Sequence, residues 1–129
     1  MEELEDWQLD FEWLQIRHYI KDTLGSPKLP DFQGILFLLG VQELGQLKEE
    51  FTKEEKQDLM HIAVCHLLSE DGYYEFEGFD DAGWPHFKQL GQPPYKGVEA
   101  QERFLKIKII KYFKEQQDYT PSTTYYNPN

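Results

Sequence analysis

The sequence predicts a mainly α-helical protein with four principal helices and a two-stranded β-hairpin between the third and fourth. Three observations favour this class: long segments with apolar residues at helical spacing, a capping box before one of them, and two aromatic segments that flank a turn. The 129 residues correspond to the length of one domain. We therefore predict a single helical domain over residues 1–117. A C-terminal tail over 118–129 should be packed or partly flexible.

The first two helices are predicted from their end signals. The first runs from about residue 4 to residue 24, where the sequence GSP stops it. The second begins near Asp31, which can serve as an N-cap residue, and ends at Gly45. It is apolar, yet it contains Gly34 and Gly40, which disfavour a helix. We expect such a helix to be buried with another backbone close to it.

The third helix has the clearest start signal in the chain, the sequence TKEE. The Thr52 hydroxyl can accept a hydrogen bond from the backbone of Glu55, whose side chain can reach back to the cap. We expect this helix to run to about Glu70, with Gly72 as its left-handed cap. A fourth helix is predicted over 97–116, because its acidic residues come early and its lysines late, which complements the helix dipole.

A β-hairpin is predicted over about 73–90, where YYEFEGF and WPHFKQL flank the four-residue loop DDAG. In the predicted register Phe79 and Trp84 close the loop. The pairs that follow are Phe76 with Phe87, Glu75 with Lys88, and Glu77 with His86. This register places aromatic residues on one face and opposite charges on the other, as a half-buried hairpin requires.

Charge and composition exclude several classes of protein. The formal net charge of −11 would repel a phosphate backbone, so we expect no nucleic-acid binding. A single cysteine excludes an intrachain disulfide and fits a reducing compartment. The acidic N-terminus lacks the pattern of a signal peptide, and no apolar run approaches the length of a membrane span. We therefore expect a cytoplasmic protein that does not enter membranes.

The strongest candidate for chemistry is the stretch from residue 61 to residue 87, which holds three of the four histidines and the only cysteine. His61 and Cys65 are spaced one helical turn apart and could ligate one zinc ion. Further candidate ligands follow: His66, Glu70, Asp71 and His86. No second close pair of ligands exists, and no HExxH, CxxC or EF-hand pattern occurs. We therefore interpret His61 and Cys65 as a pair on the outer side of the third helix, and we assign no metal, cofactor or catalytic residue.

The first helix carries two apolar stripes that lie nearly opposite each other on a helical wheel. One stripe comprises Trp7, Phe11, Leu14 and His18, and the other comprises Leu9, Trp13, Ile16 and Ile20. A charged row runs along one edge between them: Asp6, Asp10, Arg17 and Lys21. A surface helix needs only one apolar stripe, so we expect both to be covered, and their apolar residues are candidate interface residues. We favour a two-fold homodimer over an intramolecular cover.

Two runs of the chain, EKQDLMHIAVCHLLSEDGYYEFEGFDDAGWPHF and RHYIKDTLGSPKLPDFQGILFLLGVQELG, resemble a family of small uncharacterised cytoplasmic proteins of Bacteroidetes-type bacteria. The resemblance implies a bacterial protein that stands alone, and it carries no activity. Our interpretation is a small acidic, non-enzymatic protein that acts through contacts with a protein partner or with itself. Two alternatives stay open: a metal-binding protein or metalloenzyme that uses His61 and Cys65, and an acidic inhibitor that mimics nucleic acid, as immunity-type proteins do.

Overall fold

A computed structural model of the chain describes residues 5–46, 48, 50–116 and 119. Within these residues it contains four α-helices and a two-stranded antiparallel sheet, which confirms the predicted fold class. The elements in chain order are α1 (Asp6–Leu24), α2 (Phe32–Leu44), α3 (Lys53–Ser69), β1 (Tyr74–Phe79), β2 (Pro85–Gln89) and α4 (Val98–Lys114). Each element ends within two residues of its predicted bounds. The predicted C-terminal tail, with its proposed anchors Tyr125 and Tyr126, lies outside the described residues.

The elements belong to two compact units. Unit 1 comprises the residues up to Asp31 together with those from Glu99 onward, and therefore contains α1 and nearly all of α4. Unit 2 comprises Phe32–Val98, which carries α2, α3 and the hairpin. No helix in the described part of the chain has the length and apolar character that a membrane span requires.

In unit 1, α1 and α4 are joined by ion pairs and aromatic contacts. Arg103 donates to Asp6 at 2.6 Å. Lys114 likewise donates to a carboxylate oxygen of Glu12, at 2.9 Å. The rings of Tyr19 of α1 and Phe113 of α4 meet edge to face at 6.0 Å between centroids. Exposed ion pairs of this kind contribute little to stability, so apolar burial supplies most of the free energy that holds these helices.

In unit 2, α3 begins and ends as the sequence predicts. The Thr52 hydroxyl accepts from the backbone N–H of Glu55 at 3.1 Å, and the Glu55 carboxylate accepts from the backbone N–H of Thr52 at 2.9 Å. At the other end Gly72 adopts a φ of 83°, and its N–H donates to the carbonyl of Ser69. Both predicted signals of the third helix, the capping box and the left-handed glycine, are therefore confirmed.

Helix α2 packs against α3 at a point where only glycine fits. A Cβ atom built on Gly40 would overlap the backbone carbonyl of Leu59. This contact confirms the expectation that a glycine-containing apolar helix lies against another backbone. Close by, buried Leu44, Leu59 and Ile62 form the centre of an apolar cluster. The glycine lets the two backbones approach closely, and the larger side chains fill the space beside it.

The hairpin forms with the predicted central pairs. Phe76 lies opposite Phe87 and Glu75 lies opposite Lys88. The two phenylalanine rings meet edge to face at 5.6 Å between centroids. The aromatic pairing across the strands is therefore confirmed, and it stabilises the hairpin in the way that cross-strand pairs generally do.

The register near the loop was predicted incorrectly. Gly78, not Glu77, lies opposite His86, and Phe79 pairs with Pro85 rather than with the residue before it. The register shifts between Phe76 and Gly78, so Glu77 is the extra residue of a β-bulge. Gly78 has a φ of 113°, which residues with a side chain rarely adopt, and this glycine accommodates the irregularity.

Candidate functional site

A groove in unit 2 brings together much of the chemistry that the sequence singles out. It lies between α3 and the hairpin and has a volume of about 330 Å³. Residues from α3 line one side: Asp58, His61, Ile62 and Cys65. Residues from the hairpin line the other: Asp80, Trp84, Pro85, His86 and Phe87. The α3 residues are spaced three and four apart and therefore share one helix face.

The hairpin lies across this face of α3, which changes the interpretation of Cys65. The sequence suggested an outer position, but Cys65 is only 2% exposed. Its Sγ lies 3.4 Å from Nε2 of His61, and the His61 ring meets Tyr74 of β1 edge-on. The helical wheel correctly placed His61 on the exposed side, but it could not show that the hairpin would cover Cys65.

Burial also decides the chemistry of the thiol. Removal from water disfavours a thiolate and raises the pKa of Cys65 to about 11. At neutral pH the side chain is therefore an uncharged thiol and a poor nucleophile. The Cys65 side chain acts in the structure as a small apolar group beneath the hairpin.

On the opposite side of the groove, Asp80 organises the hairpin loop. Its Oδ1 accepts from the backbone N–H groups of Ala82 and Trp84 at 3.0 and 2.9 Å. Its Oδ2 lies 2.9 Å from Nε2 of His86. The hydrogen bond with His86, followed by those from the backbone, lowers the pKa of the Asp80 carboxyl. Both carboxylate oxygens therefore take part in hydrogen bonds within the hairpin loop, a role that short polar side chains in turns often have.

The remaining predicted ligands lie elsewhere. His66 faces Glu43 of α2, with Nε2 at 3.3 Å from the carboxylate, and Glu70 and Asp71 are exposed just past the end of α3. The groove thus gathers three of the six candidates: His61, Cys65 and His86. Among the described residues, no group of three or more histidine, cysteine and acidic side chains is arranged to hold a metal ion.

Sequence reasoning did not assign six of the nine lining residues to a site, and Asp58 and Trp84 are two of them. Asp58 precedes His61 by three positions, and this helical spacing could have identified it. Trp84 was assigned only to closing the loop. Its contribution depends on how the hairpin folds onto α3, which no local pattern shows. Trp84 and Phe87 pack against the buried cluster that contains Ile62, and this apolar packing helps to hold the hairpin against α3.

Among the described residues, the exposed tryptophan and phenylalanine side chains lie outside the groove, in two places. On α1, Trp7 is 69% exposed and Phe11 is 37% exposed. We call the stripe formed by Trp7, Phe11, Leu14 and His18 the outer stripe. On the hairpin, Phe76 and Phe79 are 48% and 62% exposed, and their rings pack against each other at 5.2 Å between centroids. We call these two residues the hairpin patch.

The two stripes of α1 have different environments. The four residues of one stripe are buried: Leu9, Trp13, Ile16 and Ile20. In the outer stripe, Leu14 and His18 are partly buried, while Trp7 and Phe11 are exposed. The sequence predicts that both stripes are covered, and within the part of the chain that the structure describes only one of them is fully buried. The predicted interface residues are therefore reduced to Trp7, Phe11 and Leu14.

Comparisons of the chain with models of protein families, with curated proteins and with solved structures found no match. The resemblance to small bacterial proteins therefore stays a prediction.

Proposed function

We propose that this chain is a non-enzymatic acidic protein that acts by binding another protein chain through the outer stripe of α1. The observation that carries the proposal is the exposure of Trp7, at 69% of its surface, beside Phe11 on the same helix face. Tryptophan is enriched where protein interfaces concentrate their binding energy. Adjacent exposed aromatic residues on a helix, unlike scattered apolar residues, are typical of an interaction site.

The outer stripe supports this function better than the hairpin patch does. In the patch, Phe76 and Phe79 keep 48% and 62% of their surface exposed after packing on each other, and each fraction is smaller than that of Trp7. Trp7 has the largest exposed fraction among the exposed aromatic side chains of the described chain. A protein partner that buried Trp7 would remove more apolar surface from water and gain correspondingly more free energy.

Site-specific photo-cross-linking tests the proposal in the cells that produce the protein. A photoreactive phenylalanine analogue replaces Trp7 in one variant and Phe79 in a matched control, which also carries an exposed aromatic side chain. We expect a defined protein adduct, either a second copy of the chain or another protein, from position 7. The control should give much less. Adducts from position 79 alone, or from neither position, would contradict the assignment of the outer stripe as the contact surface.

One observation favours the metal-binding alternative. The 3.4 Å between His61 Nε2 and Cys65 Sγ is close to the separation of about 3.5 Å expected for nitrogen and sulfur ligands of one tetrahedral zinc ion. Against it stand the raised pKa of the Cys65 thiol and the need for further ligands. Calorimetric titration with Zn²⁺ distinguishes the two functions. Stoichiometric binding that Cys65→Ala abolishes would favour the metal site over the contact function.

A further inference from the structure

We propose that the outer stripe of α1 binds the outer stripe of a second copy of this chain, with the two α1 helices antiparallel across a two-fold axis. This inference rests on the proposed function, because it names the partner of the same surface. It adds an orientation and a register, and both follow from the charges beside the stripe.

The charged row of α1 runs from acidic to basic along one edge of the outer stripe. Asp6 and Asp10 lie in its N-terminal half, and Arg17 and Lys21 lie in its C-terminal half. The positions are symmetric: Asp10 precedes the midpoint between residues 13 and 14 by as much as Arg17 follows it. Asp6 and Lys21 are placed in the same way. A two-fold axis through this midpoint would set each acidic residue opposite a basic residue of the partner.

The symmetry of the row selects the antiparallel arrangement. Two antiparallel helices related by a two-fold axis bring the same edge of each copy together, so the acidic half of one row meets the basic half of the other. A parallel two-fold pair would instead set the row of each copy beside the opposite edge of the partner's stripe, which carries Gln8, Gln15 and Asp22. The acidic and basic halves of the two rows would then not meet, and charge patterns of this kind set the orientation of helix pairs in coiled coils.

The apolar residues of the stripe fit nearly the same register. In an antiparallel pair, Phe11 would lie opposite Leu14 of the other copy, and Trp7 opposite His18. This apolar register differs from the register of the charged row by two residues, a sliding of about 3 Å at 1.5 Å of rise per residue. Long side chains such as arginine and lysine can span that offset. One arrangement therefore accommodates both the stripe and the row.

Contacts within the chain still leave the charged groups of the row able to reach a partner. Arg17 donates from Nε to the carbonyl of Pro30 at 2.7 Å, and a guanidinium has four further N–H groups. Asp6 pairs with Arg103, yet its side chain remains 90% exposed. Exposed ion pairs contribute little affinity, so the aromatic residues should supply most of the binding free energy. The charges should determine which orientation forms.

The test combines light scattering with charge reversal. The wild-type chain should have twice its mass of 15.4 kDa. Asp10→Arg and Arg17→Asp should each weaken self-association by about ten-fold or more, because each sets like charges opposite each other at two symmetry-related positions. An equimolar mixture of the two variants should form a heterodimer with an affinity within about three-fold of wild type. In that mixture the two charges of one chain face two opposite charges of the other.

Thermal melting followed by circular dichroism checks that each variant is folded. Arg17→Asp also removes the hydrogen bond to Pro30, so Asp6→Lys mixed with Lys21→Asp provides a second complementary pair if that variant is unstable. Trp7→Ser should abolish the dimer while leaving the helical signal intact.

The outcomes separate this inference from the proposed function. A wild-type chain that stays monomeric at high concentration would overturn self-association, whereas a cross-link from position 7 to a different protein would still support the contact function. A dimer that neither single variant weakens, and that the mixture does not restore, would overturn the antiparallel register. The absence of both a dimer and a position-7 adduct would overturn the two proposals together.

Discussion

Helices α1 and α3 differ in how many of their faces the chain covers. Helix α3 is covered on two sides, by α2 at Leu59 and by the hairpin over Cys65. Helix α1 has one buried stripe, while on its other stripe Trp7 remains largely exposed. The two apolar stripes of α1 are evident in the sequence, whereas the second face of α3 includes His61 and Cys65 and looked like an outer surface.

Residue pattern alone does not determine whether a helix face is buried. Cys65 on the second face of α3 is covered because β1 follows the helix directly in the chain and folds back over it, as the contact of Tyr74 with His61 shows. Connected elements commonly pack on each other in this way. For the outer stripe of α1 we propose that the cover comes from a second copy.

The largest expected effect contrasts two tryptophans of α1. Trp13 is buried, with Nζ of Lys106 5.3 Å from the centre of its ring, whereas Trp7 is exposed. We expect Trp13→Ala to lower the free energy of unfolding by about 3–5 kcal/mol. The matched variant Trp7→Ala should change it by no more than about 0.5 kcal/mol. Urea denaturation at low protein concentration, where self-association contributes little, measures both. If the two variants lost the same free energy of unfolding, the two stripes would not differ in burial as proposed.

The next effect tests the cover of α3 by α2. Gly40→Ala introduces a Cβ atom that overlaps the backbone carbonyl of Leu59, so the two helices must move apart. We expect the free energy of unfolding to fall by about 1–3 kcal/mol, as in other overpacked sites. Gln42→Ala, at an exposed position of the same helix, serves as the control and should change the free energy of unfolding little. A stabilised Gly40→Ala variant would show that the backbones do not approach so closely.

The cover of α3 by the hairpin is tested at Cys65. Cys65→Ser places a hydroxyl in a site that is 2% exposed, and we expect a loss of about 1–3 kcal/mol in the free energy of unfolding. Cys65→Ala should cost less, because it buries no polar group. In the wild-type chain, a thiol reagent should react only as the protein opens, since burial also raises the pKa of this thiol. Rapid labelling of the folded protein would contradict the hairpin cover.

The smallest effect concerns the loop that holds the hairpin in place. The folded state lowers the pKa of Asp80 below its usual value of 3.8, first through the hydrogen bond with His86. The stabilisation by this carboxylate should therefore be present above pH 3.8 and be lost as the pH falls through the lower folded-state pKa. The melting temperatures of wild type and Asp80→Asn should differ at neutral pH and converge in acid. A difference that persists at the lowest pH would point to packing instead of charge.

The sequence alone determined the helices, the hairpin and most of their ends, because these depend on local interactions. The Thr52–Glu55 capping box and the left-handed Gly72 act within a few residues of chain, so their spacing is sufficient to predict them. The central pair Phe76–Phe87 was predictable for the same reason, since a short loop leaves few registers that satisfy both faces.

Only the tertiary structure decided the bulge at Glu77, the burial of Cys65 and the grouping of Asp58 and Trp84 in one groove. The bulge depends on how β1 bends at Gly78, and the other two depend on where the hairpin lies on α3, neither of which a repeating residue pattern specifies. The same holds for α1: the sequence shows two apolar stripes, but only the folded chain shows which stripe it buries. Whether a residue is buried depends on which other elements pack against it, and the sequence of a single helix does not show those contacts.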